Sequence, residues 1–272
     1  MPEGDTIFRA ARTLHRALAG RTITAFDTQL NALAIVDRRA PLAGRSVERV
    51  EARGKHLLIH FSGDLVLRTH LRMHGSWHIY RPGERWRAPA RAARLVLQTS
   101  EWTAVAFNVT DAELIATRDL ARHARLAALG PDLLSERPDL AEARRRIRAS
   151  DSSHIAAALL DQQAVVGIGN VYKSEVLFLC GIAPFKRVEE LDDGTIDALL
   201  ARARDLLRLN VAGQRIAGGA SRSRVTTGRL NPREQLWVYG RAGEPCRRCA
   251  TPIRSDSETG GRRTYWCPRC QA

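Results

Sequence analysis

The sequence predicts an α+β protein with an N-terminal antiparallel β-sandwich and a C-terminal helical domain that ends in a small cysteine-rich module. Three observations support this fold class. Eight short strand-like runs lie within the first 120 residues, helical periodicity dominates residues 140–209, and four cysteines form two close pairs after residue 245. With 272 residues, 44% of them hydrophobic, the chain is long enough to bury more than one core.

A first helix is predicted near the N-terminus, with Asp5 as its N-cap and apolar residues at helical spacing from Ile7 to Leu18. Eight strand-like runs follow, at residues 22–26, 46–52, 56–61, 65–69, 76–80, 94–99, 103–107 and 113–117. Ser62-Gly63-Asp64 separates two of them and predicts a hairpin. So many short strands in one region favour an antiparallel sandwich or barrel.

Beyond about residue 120 the pattern becomes helical, at residues 140–148, 153–162, 171–179 and 195–209. Gly130-Pro131-Asp132 is a turn-forming stretch close to this change. Residues 212–235 are rich in Gly, Arg, Ser and Thr, which predicts a mobile basic loop. We therefore predict three regions: residues 1–120, 121–240 and 241–272.

The last region contains Cys246-x2-Cys249, seventeen further residues, and then Cys267-x2-Cys270. Two such pairs supply the four thiolates of a tetrahedral zinc site. Two disulfides are disfavoured because the N-terminus has no apolar secretion signal, and iron–sulfur clusters usually show other spacings. The spacing predicts one zinc ion with a structural role, because four cysteine ligands leave no coordination position open for chemistry.

The charge is strongly basic, at +14 formally with a sequence pI of about 10.8. Residues 213–272 contain twelve arginines and four acids, a surplus of eight. Such a surplus is typical of proteins that bind nucleic acid or an anionic membrane surface, although a merely solvated basic surface is the alternative. No run reaches the roughly 18 apolar residues of a membrane helix, which excludes a membrane-spanning protein. Because over half of the net charge lies in the last 60 residues, nucleic acid is the favoured partner.

Lysine is rare, because only Lys55, Lys173 and Lys186 occur among 43 basic residues. An amine can exchange protons near neutral pH and a guanidinium cannot, so each lysine is a candidate for amine chemistry. Compositional bias alone is the alternative.

Two short segments are candidates for binding and catalysis. The segment at residues 166–172 joins two helical patterns through Gly167 and Gly169, and free amides there would bind an anion, with Asn170 as N-cap or phosphate donor. A plain helix–helix turn is the alternative.

If Met1 is removed, Pro2 provides a secondary amine of pKa about 8, which the following helix lowers further. Glu3 lies beside it as a proton donor.

Six segments together carry a resemblance to a known family. They are Met1-Pro2-Glu3-Gly4, Arg53-Gly54-Lys55-His56-Leu57-Leu58, His70-Leu71-Arg72-Met73-His74-Gly75, Gly167-Ile168-Gly169-Asn170-Val171-Tyr172-Lys173-Ser174-Glu175, Val238-Tyr239-Gly240-Arg241-Ala242-Gly243-Glu244-Pro245-Cys246 and Gly261-Arg262-Arg263-Thr264-Tyr265-Trp266-Cys267-Pro268-Arg269-Cys270-Gln271. In this order the chain resembles the formamidopyrimidine-DNA glycosylase/endonuclease VIII family. The resemblance implies a helix–two-turn–helix domain and a bifunctional DNA glycosylase and abasic-site lyase of base excision repair.

The resemblance also implies roles for individual residues. Pro2 matches the Schiff-base nucleophile and Glu3 the general acid. Lys55 matches the hairpin lysine of β-elimination, and Arg262 the zinc-hairpin arginine of δ-elimination and phosphate contact. The implied DNA contacts are His70 on a strand, Met73 as a wedge that fills the gap left by a flipped base, and Asn170 as a phosphate ligand.

The resemblance leaves two substrate branches open. The Pro-Glu-Gly start, Arg-Gly-Lys and the Tyr-Trp before Cys267 resemble the endonuclease VIII branch, which prefers oxidised pyrimidines. Met73 and Asn170-Val171-Tyr172 resemble the purine branch, but residues 107–117 lack its Arg and Phe pair. The loop at 212–235, the implied lid over the flipped base, matches neither branch. Oxidised pyrimidines are the favoured substrates.

Two other classes of protein are compatible with part of the sequence. A non-catalytic zinc-ribbon DNA-binding protein would explain the charge and the cysteines, but not Pro2, Glu3 or a lone Lys55. An amine-nucleophile enzyme acting on small carbonyl compounds would not need the basic module. We expect a monomeric cytoplasmic enzyme that acts on damaged duplex DNA, with no membrane partner and no organic cofactor.

Overall fold

The computed structural model describes residues 2–152, 154–212, 224–229, 231–257 and 262–272. The chain divides into two compact units, Met1–Ala128 and Leu129–Ala272. Met1, and residues 213–223 and 230 of the basic loop predicted at 212–235, lie outside the described residues.

The first unit contains two four-stranded antiparallel sheets, which confirms the predicted sandwich. Its helices are α1 (Gly4–Leu18), α2 (Asn31–Arg39) and α3 (Ala124–Ala127), with 3-10 turns at Ala90–Ala92 and Thr117–Arg122. Its strands are β1 (Ala25–Thr28), β2 (Val47–Arg53), β3 (His56–Phe61), β4 (Leu65–His70), β5 (Ser76–Tyr80), β6 (Ala93–Gln98), β7 (Thr103–Phe107) and β8 (Asp111–Ala116). The strand orders are β1-β6-β7-β5 and β2-β3-β4-β8.

Both sheets and α1 contribute to one hydrophobic core. Alternate residues point to opposite faces of a strand, so Leu57 and Ile59 of β3 reach the same side as Leu67 of β4. They join Leu95 and Leu97 of the other sheet in one buried cluster. Burial of such side chains contributes roughly 1.5–3 kcal/mol each and holds the sheets together.

The helix α1 starts earlier than predicted. Glu3, not Asp5, is its N-cap, because the Glu3 carbonyl accepts hydrogen bonds from the amides of Thr6 and Ile7. Asp5 instead lies in the first turn, where a carboxylate is stabilised by the helix dipole. The helix α2, by contrast, is absent from the prediction because only Leu33 in it is buried, so its sequence lacks an apolar stripe.

The second unit is mainly helical and ends in a two-stranded hairpin. Its helices are α4 (Leu140–Ala149), α5 (Ile155–Ala158), α6 (Asn170–Leu179) and α7 (Asp193–Ala212), with 3-10 turns at Val188–Glu190 and Pro232–Glu234. The strands β9 (Arg254–Asp256) and β10 (Thr264–Trp266) pair antiparallel. The helix predicted at residues 153–162 is wrong in length, because Asp161 accepts a 2.8 Å hydrogen bond from the Gln163 amide and forms a turn there.

Among the described residues, no helix combines the length and apolar character that crossing a membrane requires.

Candidate active site and nucleic-acid interface

Pro2 and Glu3 immediately precede the helix α1. The Glu3 side chain is fully buried, whereas Pro2 is partly exposed. The amides of the first helical turn lie next to both residues, so the positive end of the helix dipole faces them.

The direction of α1 brings its start to the end of the sheet that carries Lys55. His15, late in α1, accepts a 3.1 Å hydrogen bond from the Val50 amide of β2, and Gly20 donates to the Val47 carbonyl. The helix therefore runs antiparallel to β2. The twelve residues from His15 back to Glu3 rise about 18 Å, and the five from Val50 to Lys55 extend about 17 Å.

Lys55 lies in the two-residue turn between β2 and β3. Gly54 has a φ of +61°, the left-handed conformation that tight hairpin turns of this length require at their first position. A residue with a side chain would be strained in this conformation. The turn holds Lys55 partly exposed at the sheet edge.

His70 lies at the end of β4, opposite His56 of β3 in the strand register. Their ring centroids are 5.0 Å apart. Burial and the neighbouring cations lower the pKa of His56 to about 3 and that of His70 to about 4, and Lys55 is one of the cations that acts on His70. Both imidazoles are therefore neutral at physiological pH.

A buried arginine links His56 to two carboxylates. Arg68, next but one to His70 and on the same face of β4, donates to His56 Nδ1 at 2.9 Å and pairs with Asp111 and Glu113. Burial alone would raise the pKa of Asp111, but the Arg68 and Arg72 hydrogen bonds and charges outweigh burial and lower it to about 2. This network was not predicted, although Arg68 within an apolar strand run indicates a need for buried partners.

The same network lines an open cleft of about 790 Å³ in the first unit. Arg72 and Arg125, both more than half exposed, pair with Asp111 at its rim. The cleft is bordered by three arginines and two acids, so its carboxylates orient the guanidinium groups instead of leaving them free to rotate.

Met73 projects from the tight turn between β4 and β5. Its side chain is 56% exposed, which is unusual for so large an apolar residue. Arg72 adopts a φ of +49°, and the Gly75 amide donates to the Leu71 carbonyl. A Cβ at Gly75 would come within 2.4 Å of that carbonyl oxygen, so the turn requires glycine.

In the second unit, Asn170 begins α6. Gly169, not Asn170, is the N-cap, so the alternative of Asn170 as N-cap is wrong. The Asn170 side-chain nitrogen instead donates a 2.8 Å hydrogen bond to the Arg263 carbonyl beside β10. The Asn170 side-chain oxygen accepts a 2.7 Å hydrogen bond from Lys173. The first turn of α6 is thereby attached to the zinc-hairpin segment.

A second attachment comes from Glu175 in the same helix. Its carboxylate is fully buried and accepts hydrogen bonds of 2.8–2.9 Å from the amides of Trp237, Val238 and Tyr239. Three backbone donors compensate the cost of burying the charge. Glu175 therefore fixes the segment that leads into the cysteine module, a role for which the sequence shows no separate signal.

The four predicted ligands Cys246, Cys249, Cys267 and Cys270 form one cluster. Their sulfur atoms all lie within 4.8 Å of one another, and three of the pairs are 3.4–3.9 Å apart. A tetrahedral site with Zn–S bonds of about 2.3 Å requires sulfur atoms about 3.8 Å apart. The residues therefore fit one zinc ion.

Arg262 lies two residues before β10, with an exposed side chain. The β9–β10 pairing holds the strand that follows Arg262, and the zinc cluster begins at the other end of that strand, at Cys267. Of the predicted site residues, Pro2, Glu3, Lys55 and His70 belong to the first unit and Met73 projects from it. Asn170, Arg262 and the cysteines belong to the second unit.

Comparison with known proteins identifies the family. Residues 1–122 match the formamidopyrimidine-DNA glycosylase N-terminal domain, residues 129–220 its H2TH domain, and residues 243–272 the zinc finger found in FPG and IleRS. The chain is similar to the probable endonuclease 8 2 of Streptomyces coelicolor, with 42% identity over all of this chain and 94% of that protein. It is also 42% identical to the DNA-(apurinic or apyrimidinic site) lyase Nei2 of Mycolicibacterium smegmatis, over 100% and 99% of the two chains.

Among solved structures, the chain is similar to Lactococcus lactis Fpg in a complex with DNA that contains an abasic site. The TM-score is 0.82 at 26% identity, and both chains are covered completely. Three family models in sequence and full-length relatives above 40% identity agree with the six motifs. The chain therefore belongs to the formamidopyrimidine-DNA glycosylase/endonuclease VIII family.

Proposed function

We propose that this protein is a bifunctional DNA glycosylase and abasic-site lyase of base excision repair. The observation that carries the proposal is the direction of α1 along β2, which brings Pro2 and Glu3 to the same sheet end as Lys55. Membership of a family whose members are named endonuclease 8 and abasic-site lyase supports it. Residues 1–120 would provide catalysis, 121–240 duplex binding and 241–272 the zinc hairpin.

Base excision requires an amine and an acid. The neutral Pro2 nitrogen attacks C1′ of the damaged nucleotide, the glycosidic C–N bond breaks, and the base leaves with its electron pair and takes up the proton that the Pro2 nitrogen loses. Glu3, buried at the helix start, is the acid that protonates the opening sugar. The product is an iminium ion that joins Pro2 to the sugar, an electron sink for the next step.

Strand cleavage follows from the iminium ion. Loss of a proton from C2′ expels the 3′-phosphate in β-elimination, and a second elimination expels the 5′-phosphate. Lys55 is a partly exposed amine that can bind the phosphate and transfer a proton, and arginine cannot transfer a proton. Arg262, exposed on the hairpin, serves the second elimination by stabilising the leaving phosphate.

DNA contacts come from both units. His70 is neutral, so it would contact the backbone as a hydrogen-bond donor and not as a cation. Asn170 and Arg262 would bind phosphates, and Met73 would fill the space left by the extruded nucleotide. Extrusion costs a few kcal/mol, and least for a damaged base that stacks poorly, which adds to selectivity.

Oxidised pyrimidines are the proposed substrates, as the endonuclease 8 relatives suggest. Within residues 107–117, Asp111 and Glu113 pair with Arg68, in a segment without the Arg and Phe pair of the purine branch. An oxidised purine is the alternative substrate, and the exposed Met73 favours it. We further propose that the protein acts as a cytoplasmic monomer, because one chain contains every proposed catalytic and DNA-contacting residue.

Borohydride trapping on four duplexes tests this proposal. Each duplex contains one thymine glycol, one dihydrouracil, one 8-oxoguanine or one abasic site. Covalent adducts at the pyrimidine lesions support the endonuclease VIII branch, and adducts mainly at 8-oxoguanine support the purine branch. Tight DNA binding without any adduct would support a non-catalytic zinc-ribbon protein instead.

A further inference from the structure

We propose that Lys173 is a positioning residue for DNA binding, which orients the Asn170 amide and holds it against the zinc hairpin. The inference rests on the proposed function, in which Asn170 binds phosphate. It assigns a role to one of three lysines in a chain of 43 basic residues.

The Lys173 ammonium is fully buried between α6 and β10. It donates a 2.7 Å hydrogen bond to Asn170 Oδ1 and another of 2.7 Å to Thr264 Oγ1. A buried charge is retained only where such partners compensate its desolvation. The contact therefore joins the first turn of α6 to the strand that follows Arg262.

The chemistry of an ammonium group fixes the orientation of the amide. An ammonium donates hydrogen bonds and accepts none, so Asn170 must present its oxygen to Lys173. The amide nitrogen then points the other way, where one of its two hydrogens is donated to the Arg263 carbonyl at 2.8 Å. The second hydrogen is the donor that a phosphate oxygen would use.

The remaining polar residues of α6 strengthen the case that this helix supports the hairpin. Glu175 binds the segment before the cysteines, as described above. Lys173 differs from Glu175 because it directly contacts Asn170, which is proposed to bind a DNA phosphate. Charge-assisted hydrogen bonds are roughly twice as strong as neutral ones, so a neutral side chain of the same length would hold the amide less firmly.

The central variant is Lys173→Met, which keeps an unbranched side chain one atom shorter and removes its donors. The measured quantity is the Kd for a duplex with a tetrahydrofuran abasic-site analogue, with the full chain and bound zinc quantified in each preparation. Lys186→Met is the control for charge, because it removes one lysine from the same unit. We expect Lys173→Met to weaken binding by about tenfold, and Lys186→Met by less than about twofold.

A double-mutant cycle distinguishes positioning from general support of the fold. If Lys173 acts through Asn170, the effect of Lys173→Met falls below about twofold once Asn170→Ala is present. An equal loss of affinity in both backgrounds, or wild-type affinity in Lys173→Met, would overturn the inference.

If Lys173→Met fails to retain zinc, a pair of Thr264 variants decides the question. Thr264→Val removes the hydroxyl that Lys173 contacts, and Thr264→Ser preserves it. We expect binding about threefold or more weaker for valine and near wild type for serine; two unaffected variants would overturn the inference. The proposed function fails separately, if the wild-type protein neither binds the abasic duplex nor is trapped on it.

Discussion

The side-chain amide of Asn170 donates a 2.8 Å hydrogen bond to the main-chain carbonyl of Arg263. The helix start that is proposed to bind phosphate is thus in direct contact with the backbone next to Arg262. Zinc binding, hairpin geometry and the Asn170 amide are therefore parts of one arrangement within the second unit.

Loss of zinc should weaken DNA binding. Cys249→Ser removes one of four ligands, so we expect zinc content to fall from one per chain and affinity for abasic-site duplex to fall by about tenfold or more. Cys180→Ser is the control, because Cys180 lies outside the cluster. Metal analysis and fluorescence anisotropy provide the measurements. Unchanged affinity in zinc-free Cys249→Ser would contradict the role of the hairpin.

The buried ion pair of Arg68 and Asp111 should matter more for stability than an exposed one. Asp111→Asn leaves Arg68 with Glu113 as its remaining carboxylate, and we expect the free energy of unfolding to fall by about 2–3 kcal/mol. Glu101→Gln breaks the exposed pair with Arg21 and should leave stability nearly unchanged. Urea denaturation compares the two variants, and equal losses would be inconsistent with the buried network.

Stability should fall as the pH is lowered from about 6.5. The pKa of His56 is about 3 in the folded protein because of burial and the charges of His70 and Arg68, against about 6.5 in an unfolded chain. Between these values the unfolded chain binds a proton that the folded protein does not. His56 alone then costs about 2 kcal/mol at pH 5 relative to pH 7.

The matched variant for this pH effect is His56→Gln, which keeps a hydrogen-bond acceptor for Arg68. Urea unfolding at pH 7 and pH 5 should show a smaller difference for the variant than for the wild type. The variant should keep part of the pH dependence of stability, because the pKa of His70 is also lowered. The same pH difference in both proteins would rule out His56 as a source.

The elements with strong local patterns were predictable from sequence. The eight strands of the first unit and the zinc cluster were predicted, because alternation of apolar residues and cysteine spacing are local signals, whereas β9 and β10 were not predicted. The first strand was misplaced: residues 22–26 were predicted and Ala25–Thr28 is observed, while Thr22 forms an isolated bridge to Ser46.

Contacts between distant segments were not predictable. Arg68 with Asp111, and Lys173 with Thr264, are separated by 43 and 91 residues. Their partners are set by strand register and helix packing, which composition and periodicity do not contain. The motifs indicated the candidate site residues because the resemblance covers the whole chain. The same motifs contain Lys173, Glu175 and Thr264, but a motif does not show which side chains these residues contact.

Base excision and strand cleavage should separate in Glu3→Gln. An amide cannot donate a carboxyl proton, so we expect excision to slow by about a hundredfold or more, with cleavage of a preformed abasic site much less affected. The control is Asp5→Asn, which also replaces a buried carboxyl group by an amide, two residues further along the chain. Single-turnover rates on both substrates make the comparison. An equal loss of both activities in Glu3→Gln would contradict the claim that Glu3 acts as the acid in base excision only.

The central claim is that the Pro2 amine forms the covalent intermediate. The most direct measurement is borohydride trapping on abasic-site DNA followed by peptide mass spectrometry, for protein that starts at Pro2 and for protein with two extra residues before it. We predict an adduct on Pro2 in the first protein and about a hundredfold less trapping in the second, since an amide nitrogen is not nucleophilic. An adduct on Lys55, or equal trapping of the extended chain, would contradict the account.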